Sequence, residues 1–152
     1  MKKLKYFVFL SVLILFITGC SLKKETITID EFQKVTESSN YTFVDSTDSF
    51  AEVDGIQKVG IASNGSWQVE FYQLSSKAKA EDLFESNKQG FKEDVSNTSY
   101  EETTKGTNYK TYSLTTGTSY MYLSVVEDTL LYVRVPVEYR DQVRKFVDKT
   151  GY

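Results

Sequence analysis

Between residues 109 and 135 the chain presents three segments in succession, 109–116, 119–126 and 130–135, rich in Tyr, Thr, Val and Leu. In the last two, apolar residues alternate with their neighbours, as in strands with one face buried. Met121, Leu123 and Val125 meet Leu131, Val133 and Val135 on one face only if the intervening turn holds an odd number of residues. Glu127-Asp128-Thr129 supplies three. On that register Tyr120, Tyr122, Tyr132 and Arg134 share the opposite face, with Tyr109 beside them on the next strand.

The rest of the chain supplies further strands and helices to cover such a sheet. Thr28-Ile29-Asp30-Glu31 reads as a capping box, with Ile27 set to staple against Phe32, so a helix is expected from residue 28 to about 39, with Asn40 as its left-handed terminator. Residues 41–45 read as a brief strand and 46–54 as a polar loop. The β-rich runs 56–62 and 67–74 flank Ser63-Asn64-Gly65-Ser66, a strong hairpin signal, with Trp67, Val69 and Phe71 on one face together with Val59 and Ile61. From Ser75 or Ser76 a helix is indicated by Ala80, Leu83, Phe84, Asn87 and Phe91. Residues 92–107 are polar and without periodicity, the pattern of a loop. After Pro136 a last helix buries Tyr139, Val143, Phe146, Val147 and Thr150 and stops at Gly151.

The expected fold is therefore α+β, a two-layer sandwich in which about three helices cover one face of a mainly antiparallel sheet of about six strands. Helix followed by three strands occurs twice, from near residues 28 and 76, which hints at a repeat, although no residues match between the halves.

The amino-terminal stretch decides where such a domain works. Lys2, Lys3 and Lys5 form a basic head, residues 6–16 an apolar run, and Ile17-Thr18-Gly19-Cys20 follows directly. A transmembrane anchor needs about 20 apolar residues, and here polar Ser21, Lys23 and Lys24 intervene. The tetrapeptide resembles the lipobox of bacterial lipoproteins at all four positions. The resemblance covers residues 1–20 and implies a signal peptide at 1–19, cleavage after Gly19 and diacylglycerol on the Cys20 thiol. Residues 20–27 are then the lipidated cysteine and a short tether, and 28–152 a single globular domain. With its Lys, Asn and Tyr content the chain resembles the small lipoproteins of low-GC Gram-positive bacteria, a resemblance that carries no activity with it. It implies a lipid-anchored position on the outer face of the cytoplasmic membrane.

Composition narrows the chemistry. There is no histidine, which removes Ser-His-Asp and Cys-His catalysis, H-E-x-x-H zinc sites and the usual base near neutral pH. Cys20 is the single cysteine, so no intramolecular disulfide can form. The formal charge is −3 and becomes more negative once Lys2, Lys3 and Lys5 leave, which argues against nucleic acid and against an electrostatic grip on anionic lipid. Membrane lipid attached through Cys20 does the holding, because paired acyl chains anchor stably.

Three sets of residues invite a sharper reading. Ser76-x-x-Lys79 and Lys149-Thr150-Gly151 match motifs of penicillin-binding proteins, but the second ends a helix where that family needs a strand. Helix capping by Ser76 and a favourable last-turn charge on Lys149 explain both. Asp45, Asp48, Glu52 and Asp54 lack EF-hand spacing and read as a solvated loop, so no metal and no cofactor is expected. Glu93-Asp94 and Glu101-Glu102 are likewise loop charges. Tyr120, Tyr122, Tyr132 and Arg134 form the third set, since Tyr and Arg are enriched where partners dock. The expectation is a non-enzymatic binding domain for a protein or cell-wall partner. Its alternatives are a small-ligand or metal-binding accessory to a transporter or wall enzyme, and, more remotely, a phage-exclusion or immunity lipoprotein.

Overall fold

In the computed structural model, residues 23–95 and 99–152 are described. The fold is α+β. Seven strands form one antiparallel sheet: β1 (Thr42–Asp45), β2 (Ile56–Ser63), β3 (Gln68–Leu74), β4 (Tyr100–Lys105), β5 (Tyr109–Thr115), β6 (Ser119–Val126) and β7 (Thr129–Pro136), in the order β1-β2-β3-β7-β6-β5-β4. Three helices accompany them, α1 (Ile29–Ser38), α2 (Lys77–Glu93) and α3 (Arg140–Thr150), with 3₁₀ turns at Thr47–Phe50 and Val137–Tyr139. The seventh strand is β4, which falls inside the segment expected to be a loop. All six of its residues are exposed. An edge strand held by its backbone ladder to β5 carries no apolar alternation for a sequence to display.

The helices lie on both faces of the sheet, not on one. Ile29 and Phe32 of α1 and Val143, Phe146 and Val147 of α3 pack with Val69, Phe71, Leu131, Val133 and Val135 on one side. Ala80, Phe84 and Phe91 of α2 pack with Val59, Tyr72, Leu74, Leu114, Leu123 and Leu130 on the other. The cause is register. The β6–β7 turn contains only Glu127, left-handed at φ 51°, and Asp128, because Thr129 already pairs with Val126. Met121, Leu123 and Val125 consequently stand opposite Arg134, Tyr132 and Leu130, while Leu131, Val133 and Val135 stand opposite Ser124, Tyr122 and Tyr120. Each apolar set belongs to a different core. The helices that open the two groups of strands also sit on opposite faces of the sheet.

The same split holds in the first hairpin. Trp67, Val69 and Phe71 share the α1 face, but their partners there are Gly60 and Ala62 rather than Val59 and Ile61, since Val59 pairs with Tyr72 and Ile61 with Glu70. Gly60 has no room for a side chain, because a Cβ would stand 2.7 Å from the Phe43 ring.

The helix ends follow the local chemistry. Glu31 N–H donates to Thr28 Oγ1 at 3.3 Å and Thr28 N–H donates to the Glu31 carboxylate at 2.7 Å, closing the capping box. Asn40 is left-handed at φ 60° after α1, Ser76 caps α2 through Lys79 N–H at 3.3 Å, and Gly151 ends α3 at φ 82°. Pro136 leads first into the 3₁₀ turn, and α3 begins only at Arg140.

Rings hold α1, α3 and the first hairpin together. Phe32 stacks on Phe71 with centroids 5.1 Å apart, and Tyr41 meets Trp67 edge-on at 4.9 Å and Phe146 at 5.4 Å. Trp67 Nε1–H donates to Gln142 Oε1 at 3.3 Å, giving the buried indole its polar partner. Trp67→Ala is expected to cost about 3–5 kcal/mol, read by chemical denaturation. A loss below about 1 kcal/mol would contradict this packing.

Candidate functional site

The four residues expected to form one docking surface lie on two faces. Tyr120, only 5% exposed, and half-buried Tyr122 point to the α3 side, their rings stacked with centroids 6.5 Å apart. Burial pushes both phenols up to about 12. Tyr132 points to the α2 side, against Phe91 at 5.3 Å, and Arg134 pairs with Asp94 at 2.5 Å there. The two-residue turn places the whole sheet between the two pairs, so the expected tyrosine–arginine surface does not exist.

Other sequence candidates resolve into structural roles. Asp45 accepts from Thr47 N–H at 2.9 Å, and Asp54 pairs with Lys79 at 2.6 Å. Among the described residues no group of three or more acidic or cysteine side chains is gathered as a metal site. Ser76 is spent on the α2 cap, while Lys149 donates to Ser39 Oγ at 3.3 Å across α3 and α1, so the penicillin-binding motifs are not brought together. Cys20 lies outside the described residues.

A different site emerges beside Tyr120 and Tyr122. Helices α1 and α3 cover the sheet as far as β6, and the α3-side face continues over β5 and β4 without a helix above it. Pairing puts Thr111, Ser113 and Thr115 of β5 beside Thr104, Glu102 and Tyr100 of β4 on that face, with no aliphatic side chain among them. With Arg140, Arg144 and Asp148 of α3 as its wall, this shelf forms a cleft of about 230 Å³. Its floor is made of hydroxyl groups, which offer both donors and acceptors.

Its charges are largely unspent. Arg140 Nε is 3.1 Å from Asp141, but the side chains of Arg144, Glu102 and Asp148 form no ion pair or hydrogen bond among the described residues. All four cleft charges act on the Tyr120 hydroxyl, secondary to its burial: the two arginines lower its pKa and the two acids raise it. The arrangement suits binding of a small polar ligand bearing hydroxyls and an anionic group. Sequence reasoning missed Arg140, Arg144 and Asp148 because charges four residues apart on a helix exterior look like an ordinary solvated face. The unbroken polar alternation of Thr111, Ser113 and Thr115 was the signal that this face of β5 is not core.

The second feature is where the chain enters the domain. Lys24 N–H donates to Asn108 Oδ1 at 3.1 Å and Asn108 Nδ2 donates to Lys24 C=O at 2.8 Å. The Lys24 ammonium lies 5.1 Å from the centre of the Tyr109 ring, and burial lowers its pKa. The segment expected to be a free tether is thus fixed to the β4–β5 turn from Lys24 onward.

No family model matches the chain, and neither does any curated protein. Among solved structures it is similar to a GTP binding regulator from Thermotoga maritima, at 16% identity over 82% of this chain and 85% of that chain, with a TM-score of 0.49. At that level the likeness carries nothing to function.

Proposed function

We propose that this chain is a non-enzymatic binding lipoprotein, held by acylated Cys20 on the outer face of a bacterial cytoplasmic membrane. The observation that carries the reading is the lipobox Ile17-Thr18-Gly19-Cys20 directly behind a basic head and an apolar run. Support for binding rather than catalysis comes from the absence of histidine and from a single thiol consumed by lipid.

The binding element in this reading is the cleft between α3 and strands β4 to β6. It favours a small polar ligand, and so the role of accessory to a transporter or wall enzyme, over a protein docked on a tyrosine face. Arg144, Glu102 and Asp148, whose side chains have no ion-pair partner among the described residues, are exposed and available to a ligand.

Two outcomes follow. Cys20→Ala is expected to abolish partitioning into the detergent phase; partitioning equal to the unaltered chain would reject lipid anchoring. In a thermal-shift screen of muropeptides and small acidic saccharides, a ligand of the cleft raises the midpoint. Arg144→Ala is expected to remove that rise while leaving the ligand-free midpoint within about 2 °C, since exposed charges contribute little to stability. A rise retained in Arg144→Ala would place binding elsewhere.

A further inference from the structure

The clamp on Lys24 fixes more than the chain's path. Four peptide steps separate Lys24 from Cys20, and an extended chain covers at most about 3.6 Å per residue. The Cys20 backbone, whose thiol would carry the lipid, therefore lies within about 15 Å of Lys24 at the β4–β5 turn. Strands β4 to β7 run on from that end for six to eight residues each, or about 20–27 Å at ~3.3 Å per residue. Standing the domain on the far end of the sheet would hold the Lys24 clamp about 20–27 Å from the bilayer, beyond the reach of so short a tether.

We propose that the end of the sheet carrying the β4–β5 and β6–β7 turns lies against the lipid headgroups, with the strands standing away from the membrane; this rests on the lipid-anchored reading above. The turns at this end are tied to one another. Glu127 N–H donates to Asn108 C=O at 3.2 Å, and Leu74 N–H donates to Asp128 C=O at 2.8 Å, so the Lys24 clamp grips a rigid edge rather than a single loop. Lys23 and Lys105 project here without an ion pair among the described residues, which suits contact with lipid phosphates. The opposite end, with the turns at 64–67 and 116–118, faces outward. The cleft runs parallel to the strands, from Tyr100 and Arg140 at the outer end to Thr104 and Asp148 at the inner, and opens sideways along the membrane.

The orientation is testable because lipid occupies the chain's one thiol, so an introduced cysteine is the sole labelling site. Lys105→Cys and Ser66→Cys, both at exposed positions at opposite ends of the sheet, would carry a thiol-reactive fluorophore on the full lipidated chain. The chain would be reconstituted in phosphatidylcholine–phosphatidylglycerol vesicles bearing headgroup nitroxides. Quenching at least threefold stronger at position 105 than at 66 is expected. Equal quenching, or stronger quenching at 66, on vesicle-bound protein would overturn the orientation alone. Failure of the chain to associate with vesicles would overturn the anchoring reading and this one with it. Asn108→Ala, with its thermal midpoint checked against the unaltered chain, is expected to keep vesicle association while the difference between the two probes shrinks. A difference that persists in full would show that the clamp does not set the orientation.

Discussion

Two residues, Glu127 and Asp128, turn β6 into β7, and the composition of both faces of the central sheet depends on that count. A strand has a side-chain period of two, so one more residue in this turn would carry every side chain of β7 to the other face. With Thr129 paired to Val126, Leu131, Val133 and Val135 join α1 and α3, while Met121, Leu123 and Val125 join α2. Six of the eight residues of β6 are buried, as befits a strand covered on both sides. The short turn is thus what allows one sheet to serve two cores, and Glu127 accepts a left-handed backbone to make it.

The same partition leaves the polar cleft. On the α2 side β5 contributes Tyr112 and Leu114, both buried, whereas on the α3 side it contributes Thr111, Ser113 and Thr115. Burying those hydroxyls and the Glu102 carboxylate under a helix without partners would cost several kcal/mol, so α3 stops at β6 and its arginines overhang the shelf. Charged Glu101, Glu102 and Lys105 on β4 also discourage another chain from adding to this edge. Stability and site therefore share an origin, since the face that cannot be core is the one left open to solvent beside the helix.

Much of this was legible in the sequence wherever the signal was local. The Thr28–Glu31 capping box, Asn40, Ser76 and Gly151 set the helix ends they predicted, and Trp67, Val69 and Phe71 share a buried face as their spacing indicates. What escaped was non-local. Parity alone could not choose the β6–β7 register, because it discriminates only when one face is buried, while β6 carries large side chains on both, Tyr120 and Val126 as well as Leu123 and Val125. Strand β4 escaped because its six residues are all exposed. Asn108 read as one more polar loop residue, and only the fold brings its amide to the Lys24 backbone 84 positions away.

The register of β6 against β7 decides whether Tyr120 and Tyr122 belong to the cleft beside α3, so it is the claim to test first. In a ¹³C-edited NOESY spectrum, the two-residue turn predicts backbone contacts that pair Leu123 with Tyr132 and Val125 with Leu130. Contacts that pair Leu123 with Val133 and Val125 with Leu131 instead would mean a three-residue turn, a single shared apolar face, and no cleft of the composition described above.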